Sequence, residues 1–579
     1  MSISRFELAL TIVAFLCLGI LLAVYAGGPQ FSDELWYMHV GLNNVEDPFI
    51  LNRYTHVYLQ KLFMELASTP LMGVKAFWSF VVTLTGFLIY WNARLLTPRS
   101  HPLHGGIAAL IFFSLKFISE YCGVTVVDLT AMLMLTLVVT FYLSAARVNF
   151  SRPWQLVALG FAIFLAFKAK ETTLACLVLL AGLGYAAPIP IEATSGENGT
   201  AASSPAFRMS ALGKNTLRVL LGLVGGALFF AILNGLILGN PLFGLTPGSL
   251  GAFLGSYVAP SLDAYTITTT DWYTGLVASL WLFPFLLYVI SGLKATQDEH
   301  TSPSVRLVWL VPLVMVCLLT LLMLRSYFEA APRFFFPALP VICMLAPQFL
   351  DFRMPYGRHA RLNFWLTSAG GAVLLASLAL ATRLYARQTG WDYVTFLRVA
   401  IYPVILSVLL GVFVLARQPR PILPILGILA LTLYPLVTNI KYIFILREND
   451  RASDYRFYPF AAFEEEIEYF QDARILVSTN VTEDLRMLST DENELYSMFN
   501  VFFEANAGDD TFTYLASPYE LAENLSQTDF SYVLLTERDW QIANSEPASL
   551  ALITANYQVS YEAENESSAQ HGLVLLIRQ

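Results

Sequence analysis

Charge is scarce in this chain. Asp, Glu, Lys and Arg make up 13% of its 579 residues, against about a quarter in soluble domains, while apolar residues reach 56%. That balance, with its long apolar runs, excludes an ordinary soluble domain and points to an integral membrane protein with many spans. Cysteine is sparse too: Cys17, Cys122, Cys176, Cys317 and Cys343 have no CxxC spacing, and the long polar tail has none. This argues against a disulfide framework and against a structural metal site, leaving buried, inert thiols. A basic excess is also missing. The net charge is -9, and the acidic surplus lies between Arg447 and Gln579, so nothing points to nucleic acid as a partner. No internal repeat is visible.

What is present is a series of apolar segments. A span needs about 20 apolar residues, and segments of that kind occur near 8–26, 73–95, 104–121, 124–146, 153–169, 171–187, 216–238, 274–293, 307–325, 333–350, 363–382, 398–416 and 422–446. The expectation is an α-helical polytopic membrane protein of about thirteen transmembrane helices. The first run, Leu8 to Ala26, reads as an uncleaved span, since no small-x-small cleavage site stands out. With the N-terminus in the cytoplasm, the inner connections carry Arg94 and Arg99, Arg147 and Arg152, Arg208, Lys214 and Arg218, Lys294 and Arg306, Arg353, Arg358 and Arg361, and Arg417 and Arg420. The outer connections instead carry Asp33, Glu34, Glu46, Asp47, Glu120, Asp263 and Asp271, which satisfies the positive-inside rule throughout.

An odd number of spans sends the tail outward. Residues 1–446 are therefore read as the transmembrane part, with a first outer loop at 27–72 and a flexible, Ala/Ser/Gly-rich cytoplasmic loop at 188–215. Residues 447–579 are read as an extracytoplasmic α/β domain in a plasma or inner membrane protein. Its β-favouring runs are Arg474 to Ser478, Tyr532 to Leu535 and Leu573 to Ile577. Ser517 is a candidate N-cap, with Pro518 at the first helical position.

The first outer loop carries the most informative pair, Asp33 and Glu34, in Phe31-Ser32-Asp33-Glu34-Leu35-Trp36-Tyr37. Two readings compete. Ser32 as N-cap with two acids in the first turn is ordinary helix electrostatics, worth a few tenths to about 1 kcal/mol. Alternatively, carboxylates held against a membrane surface serve chemistry on a substrate that arrives through the lipid. Further on, Leu59, Leu62, Phe63 and Leu66 recur at helical spacing, with Gln60, Lys61 and Glu65 off that face, as in an interfacial amphipathic helix.

Other charges sit at the same depth. Lys168 and Lys170 interrupt two apolar runs at an outer turn. Arg325 and Arg333 bracket another outer turn, and Asp128 lies about one turn inside the outer end of the fourth span. Charge at the edges of spans is costly and usually functional. Snorkelling explains any single cation, but not a gathering of cations on the outer side. A phosphate there would account for it.

These features together resemble the membrane glycosyltransferases of the C-type fold, especially protein O-mannosyltransferases and the bacterial lipid A aminoarabinose transferase. The acidic first-loop motif carries the resemblance, with Asp128 in Val126-Val127-Asp128-Leu129-Thr130 and Lys170 in Lys168-Ala169-Lys170-Glu171-Thr172. So does the late opening Arg333-Phe334-Phe335-Phe336-Pro337-Ala338-Leu339-Pro340, similar to that family's aromatic Pro-Ala-Leu-Pro start of a span. Nearly the whole chain is covered, and the specificity lies in the order and spacing of short motifs.

The resemblance implies a sugar donor on polyprenyl phosphate, a hydroxyl acceptor (lipid, glycan or protein) and inverting transfer at the outer face. It casts Asp33 as the base. Glu34 and Asp128 would orient the base or touch the sugar, and Lys170, Arg325 and Arg333 would hold the leaving phosphate. Lys168 either joins them or snorkels. The motif is Asp-Glu rather than Asp-x-Asp, so the metal of the oligosaccharyltransferase branch is not implied. His39 and His56 flank the acids, yet a lone interfacial His is more often a packing residue. No obligatory metal or cofactor is expected. The stretch Tyr265 to Tyr273 reads either as a lid or as a plain solvated loop.

Three rival classes share some of these features. A transporter or flippase of polyprenyl-linked glycans would place charges near the bilayer midplane, whereas here they gather at the outer ends. An outer-surface glycan polymerase or ligase shares the substrates but not the motif order. A scaffold would be indifferent to Asp33→Asn.

Overall fold

The structure is a computed structural model. It describes residues 5–26, 32–47, 50–68, 70–96, 102–115, 117–186, 206–246, 303–324, 332–351, 474–478, 512–563 and 573–579, with short pieces at 288, 291–292, 432–433, 436–437, 439–441, 443, 486–487 and 496–497. Apolar runs without an internal Pro fold as long helices, and those that contain Gly do so as well. Among the described residues, four stretches, Glu7–Tyr25, Met72–Leu95, Val127–Arg147 and Met209–Ile237, are long and apolar enough to cross a membrane.

Helix α1 (Arg5–Tyr25) packs on α4 (Pro70–Leu95), and Glu7 at the start of one pairs with Arg94 at the end of the other at 2.5 Å. Between them come α2 (Ser32–Asn43) and α3 (Tyr54–Leu66). Next are α5 (Pro102–Phe113), the single turn α6 (Phe117–Glu120), α7 (Val127–Arg147), α8 (Pro153–Ala169) and α9 (Met209–Ile237). Helix α7 is the central element: it lies among α4, α8 and the turn Pro332–Ala338, and most of its length is buried.

Helices α8 and α9 approach closely because glycines face backbone. A Cβ on Gly222 would lie 2.0 Å from the Val157 carbonyl oxygen, so no larger residue fits this crossing. The opposite face of α9 leaves Leu217, Leu221, Leu228 and Leu236 exposed, the pattern expected of a helix in lipid.

Several expected spans fold differently from single helices. The segment 104–121 is divided between α5 and α6, and 171–187 becomes a 3-10 helix, Glu171–Gly184. The segment 333–350 is built from the 3-10 turn Pro332–Ala338, the helix Leu339–Leu345 and a second 3-10 turn, Ala346–Asp351. Pro337 and Pro340 explain that division, since each removes a backbone donor. The expected spans near 274–293, 363–382, 398–416 and 422–446 lie outside the described residues except at isolated positions.

The tail contains a five-stranded sheet in the order Phe512–Leu515, Ile475–Ser478, Tyr532–Thr536, Leu573–Arg578, Tyr557–Ala563. The first three strands run parallel, and the last two join antiparallel. The central run Ile475-Leu476-Val477 is buried, as expected where a parallel strand is covered on both faces. Thr536 caps the helix Glu537–Ser545, accepting from the Asp539 amide at 3.1 Å. Ser517 stands before the short turn Pro518–Glu520 but makes no side-chain cap bond. A short antiparallel pair, Arg486–Met487 with Tyr496–Ser497, lies beside α2.

Candidate functional site

Helices α2 and α3 are stitched into one unit. The Trp36 indole N–H donates to Asp47 at 2.7 Å, the Asp47 amide donates to the Tyr54 hydroxyl at 2.9 Å, and that hydroxyl donates to the Val45 carbonyl at 2.9 Å. Asn44, with φ of 55°, ends α2 in the left-handed region that Asn tolerates.

The two acids of the first turn separate here. Glu34 is wholly buried, and its carboxylate accepts from both the amide and the hydroxyl of Thr125, the latter at 3.1 Å. Gln60 on α3 donates to the same hydroxyl at 2.9 Å. Glu34 thus anchors α2 to the loop that enters α7. Asp33 occupies the preceding position in the same turn, and its side chain lies outside the described residues.

The other predicted charges meet at the N-terminus of α7. Asp128, 1% exposed, sits in its first turn, where the helix dipole favours a carboxylate, and pairs with Lys170. Lys170 stands in extended backbone at the break between α8 and the 3-10 helix. The next residue, Glu171, pairs with Arg53 at 2.6 Å. Two cations and two carboxylates thus form a buried, charge-balanced cluster joining α3, α7 and the end of α8. The sequence reading missed Arg53. The rule that selected Lys170, a cation at the outer end of the bundle, would also have selected it.

Lys168 does something else. Its ammonium donates to the Gly244 carbonyl at 2.8 Å and reaches the Leu51 carbonyl at 3.4 Å. It holds the loop after α9 against the chain entering α3. Asn234 assists by donating to the Phe243 carbonyl at 2.7 Å while accepting from the Tyr58 hydroxyl. Gly244 itself has φ of 68°, a backbone geometry that favours glycine.

Arg333 lies in the turn Pro332–Ala338, and its side chain is outside the described residues. Three positions on, Phe336 packs against Phe117 and Tyr121, with ring centres at 4.7 and 5.0 Å, which brings this turn to the loop that carries Thr125. Arg325 and the stretch Tyr265 to Tyr273 lie outside the described residues.

The face that α3 turns inward is mixed: Val57, Met64, Tyr54 and Tyr58 are buried together with Thr55, His56 and Gln60. His56 and Gln60 are both fully buried, while Leu62 and Leu66 are 48% and 77% exposed. The apolar face expected from the spacing is thus split: Leu59 and Phe63 pack on the bundle core, and Leu62 and Leu66 are left exposed, as suits a helix at the edge of lipid. The His56 Nδ1 lies 2.8 Å from the Thr130 hydroxyl, and the ring meets Tyr37 and Phe77 edge-on at 5.1 and 5.5 Å. Burial, with the Arg53 cation adding to it, pushes the imidazole pKa down to about 3, so the ring is neutral. Among the described residues, His56 Nε2, Gln60 Oε1, Asn52 Nδ2 and Thr172 Oγ1 are buried without a hydrogen-bond partner. Each such group costs about 1–3 kcal/mol. No group of three or more His, Cys, Asp or Glu among the described residues is placed to hold a metal ion.

No protein-family model matches the chain, and no curated protein sequence does. Among solved structures, the chain is similar to ArnT from Cupriavidus metallidurans bound to undecaprenyl phosphate. That similarity covers 99% of this chain and 98% of that one, at 13% identity and a TM-score of 0.47. It is also similar to the oligosaccharyltransferase AglB from Archaeoglobus fulgidus, in complex with an inhibitory peptide and a dolichol-phosphate. There the coverage is 100% of this chain and 75% of that one, at 12% identity and a TM-score of 0.39. At this level of similarity, any functional reading rests on the site residues themselves.

Proposed function

We propose that the protein transfers a sugar from a polyprenyl-phosphate donor to a hydroxyl acceptor at the outer face of the membrane. The observation that supports this most is the buried cluster of Asp128, Lys170, Arg53 and Glu171 at one end of an apolar helix bundle, beside the turn that carries Asp33. Asp128 and Lys170 are buried, Arg53 and Glu171 keep only a small exposed fraction, and withdrawing such charges from water is expensive. A site that must receive an anionic leaving group has reason to do so.

In this reading the acceptor oxygen attacks the anomeric carbon from the face opposite the lipid phosphate. The bond from that carbon to the phosphate oxygen breaks, the electron pair leaves with the phosphate, and the configuration inverts. Asp33 takes the acceptor's proton. Glu34 acts through Asp33, holding α2 on Thr125. Lys170 meets the charge that develops on the phosphate. An ammonium has three donors, so a contact with Asp128 is compatible with one to a phosphate oxygen. Arg333 joins it from the turn that Phe336 seats against Tyr121, and Arg325 takes the same role. Lys168 braces the outer loops. The N-terminus is cytoplasmic, and the strand pair beside α2 supports a tail on the same outer side as the acids.

The test is turnover in proteoliposomes with a panel of polyprenyl-phosphate sugars, wild type against Asp33→Asn. Wild type should transfer at least one sugar, and the variant should lose about 100-fold or more in rate while still binding donor. No transfer from any donor would sink the reading, and full activity in the variant would remove Asp33 from its role.

A further inference from the structure

At the junction of α2, α3 and α7, two buried polar atoms lack partners among the described residues: His56 Nε2 and Gln60 Oε1. They stand four residues apart on α3 and therefore share one face. The far end of each side chain is already committed, His56 Nδ1 to Thr130 and Gln60 Nε2 to Thr125. Both threonines belong to the entry of α7, so the two orphan atoms border the same seam. Glu34 and Tyr37 of α2 roof that seam, and Asp128 lies in the same first turn of α7 as Thr130.

The chemistry of the orphans selects their partner. A neutral imidazole carries one N–H. When the Thr130 hydroxyl donates to Nδ1, that N–H is on Nε2 and donates. The Gln60 carbonyl oxygen only accepts. An ionised phosphate or carboxylate cannot satisfy the second atom, and an ammonium cannot satisfy the first. A hydroxyl satisfies both.

We propose that this seam is a hydroxyl-recognition subsite, and that it takes one ring hydroxyl of the donor sugar. The proposal rests on the transferase reading above and deepens it, giving His56 and Gln60 the selection of the sugar. Tyr37 meets His56 edge-on, which sets the subsite against the helix that carries Asp33.

The full-length protein in proteoliposomes tests this. For the sugar it transfers, each ring hydroxyl is removed in turn in monodeoxy polyprenyl-phosphate analogues. Wild type should lose at least about 100-fold in kcat/KM with one analogue, as sites built around a substrate hydroxyl do. Gln60→Met and His56→Phe should slow the parent sugar towards the rate of that analogue, bringing the ratio between the two close to one.

If both variants keep the wild-type melting temperature but slow the parent and every analogue equally, the atoms hold only a buried water and the proposal fails. If the variants do not fold, wild type still decides: no analogue losing more than a few-fold overturns the subsite. Transfer without discrimination refutes this inference alone, whereas no transfer from any parent sugar refutes the transferase reading and this subsite with it.

Discussion

Two parts of the molecule bury residues equally well and with opposite chemistry. In the tail sheet, Leu476, Val477, Val533, Leu535, Val574 and Leu576 are fully excluded from solvent. At the junction of α2, α3 and α7, the residues excluded to the same degree include Glu34, His56, Gln60 and Thr130, with Asp128 and Lys170 at 1% and 2%. The sheet follows the ordinary economy of a core, in which apolar area leaves water and each strand is stabilised by its neighbours. The junction does the reverse, placing charge and orphan polar atoms where desolvation is most costly. The proposed function gives such a region its reason: its groups meet a substrate that arrives later.

The largest effect expected from breaking this contrast comes from Lys170→Met. It leaves Asp128 buried and unpaired, which should lower stability by about 3–5 kcal/mol, read as a melting shift in detergent. Adding Asp128→Leu should recover most of that loss, since an apolar pair of similar volume replaces the ion pair. Turnover should stay absent in the double variant. If activity returns with stability, the cluster is structural and the contrast collapses.

In the sheet, Leu476→Ala should cost about 2–5 kcal/mol through the cavity it leaves, and Leu476→Met should cost less than about 1.5 kcal/mol. There, unlike at the junction, a single substitution that keeps volume should preserve stability.

The third test concerns pH. The folded pKa of His56, about 3, lies below its ordinary value of 6.5, so the unfolded chain binds this proton first as pH falls. Stability should therefore fall as pH drops from about 6.5 towards 3, by up to about 1.4 kcal/mol per pH unit. Thermal melts of wild type and His56→Asn across that window should show a shallower slope in the variant. Equal slopes would place a charged imidazole in the seam.

The smallest effect should come from Lys61→Ala. Its pair with Glu65, at 2.8 Å on the outer part of α3, is an i,i+4 contact with a half-exposed carboxylate. It should change stability by less than about 0.5 kcal/mol.

The same contrast explains what could be read in advance. The strands at 475–478, 532–536 and 573–578 were visible as short β-favouring runs, and α1, α4, α7, α8 and α9 as apolar runs of spanning length or close to it. In both cases the signal is local, because a covered strand or a lipid-facing helix is apolar whatever it touches. The roles at the junction were not visible. Asp33 and Glu34 look alike in sequence, and Glu34 is singled out only because Thr125, 91 residues away, is folded against it. Lys168 and Lys170 share one motif. Yet one clamps a carbonyl 76 residues on, and the other meets a carboxylate 42 residues back.

By itself, then, the sequence determined that this is a helical membrane chain with a mixed α/β tail, with charge kept to the ends of its apolar segments. Hydropathy and strand propensity are properties of short windows, and they survive whatever the rest of the chain does. Only the tertiary structure decided which acid anchors a helix, which lysine joins an ion pair, and that α3 buries His56 and Gln60 beside Val57 and Met64. Those outcomes depend on which helix ends converge, and buried polar groups accept only the partners that convergence brings within hydrogen-bond reach.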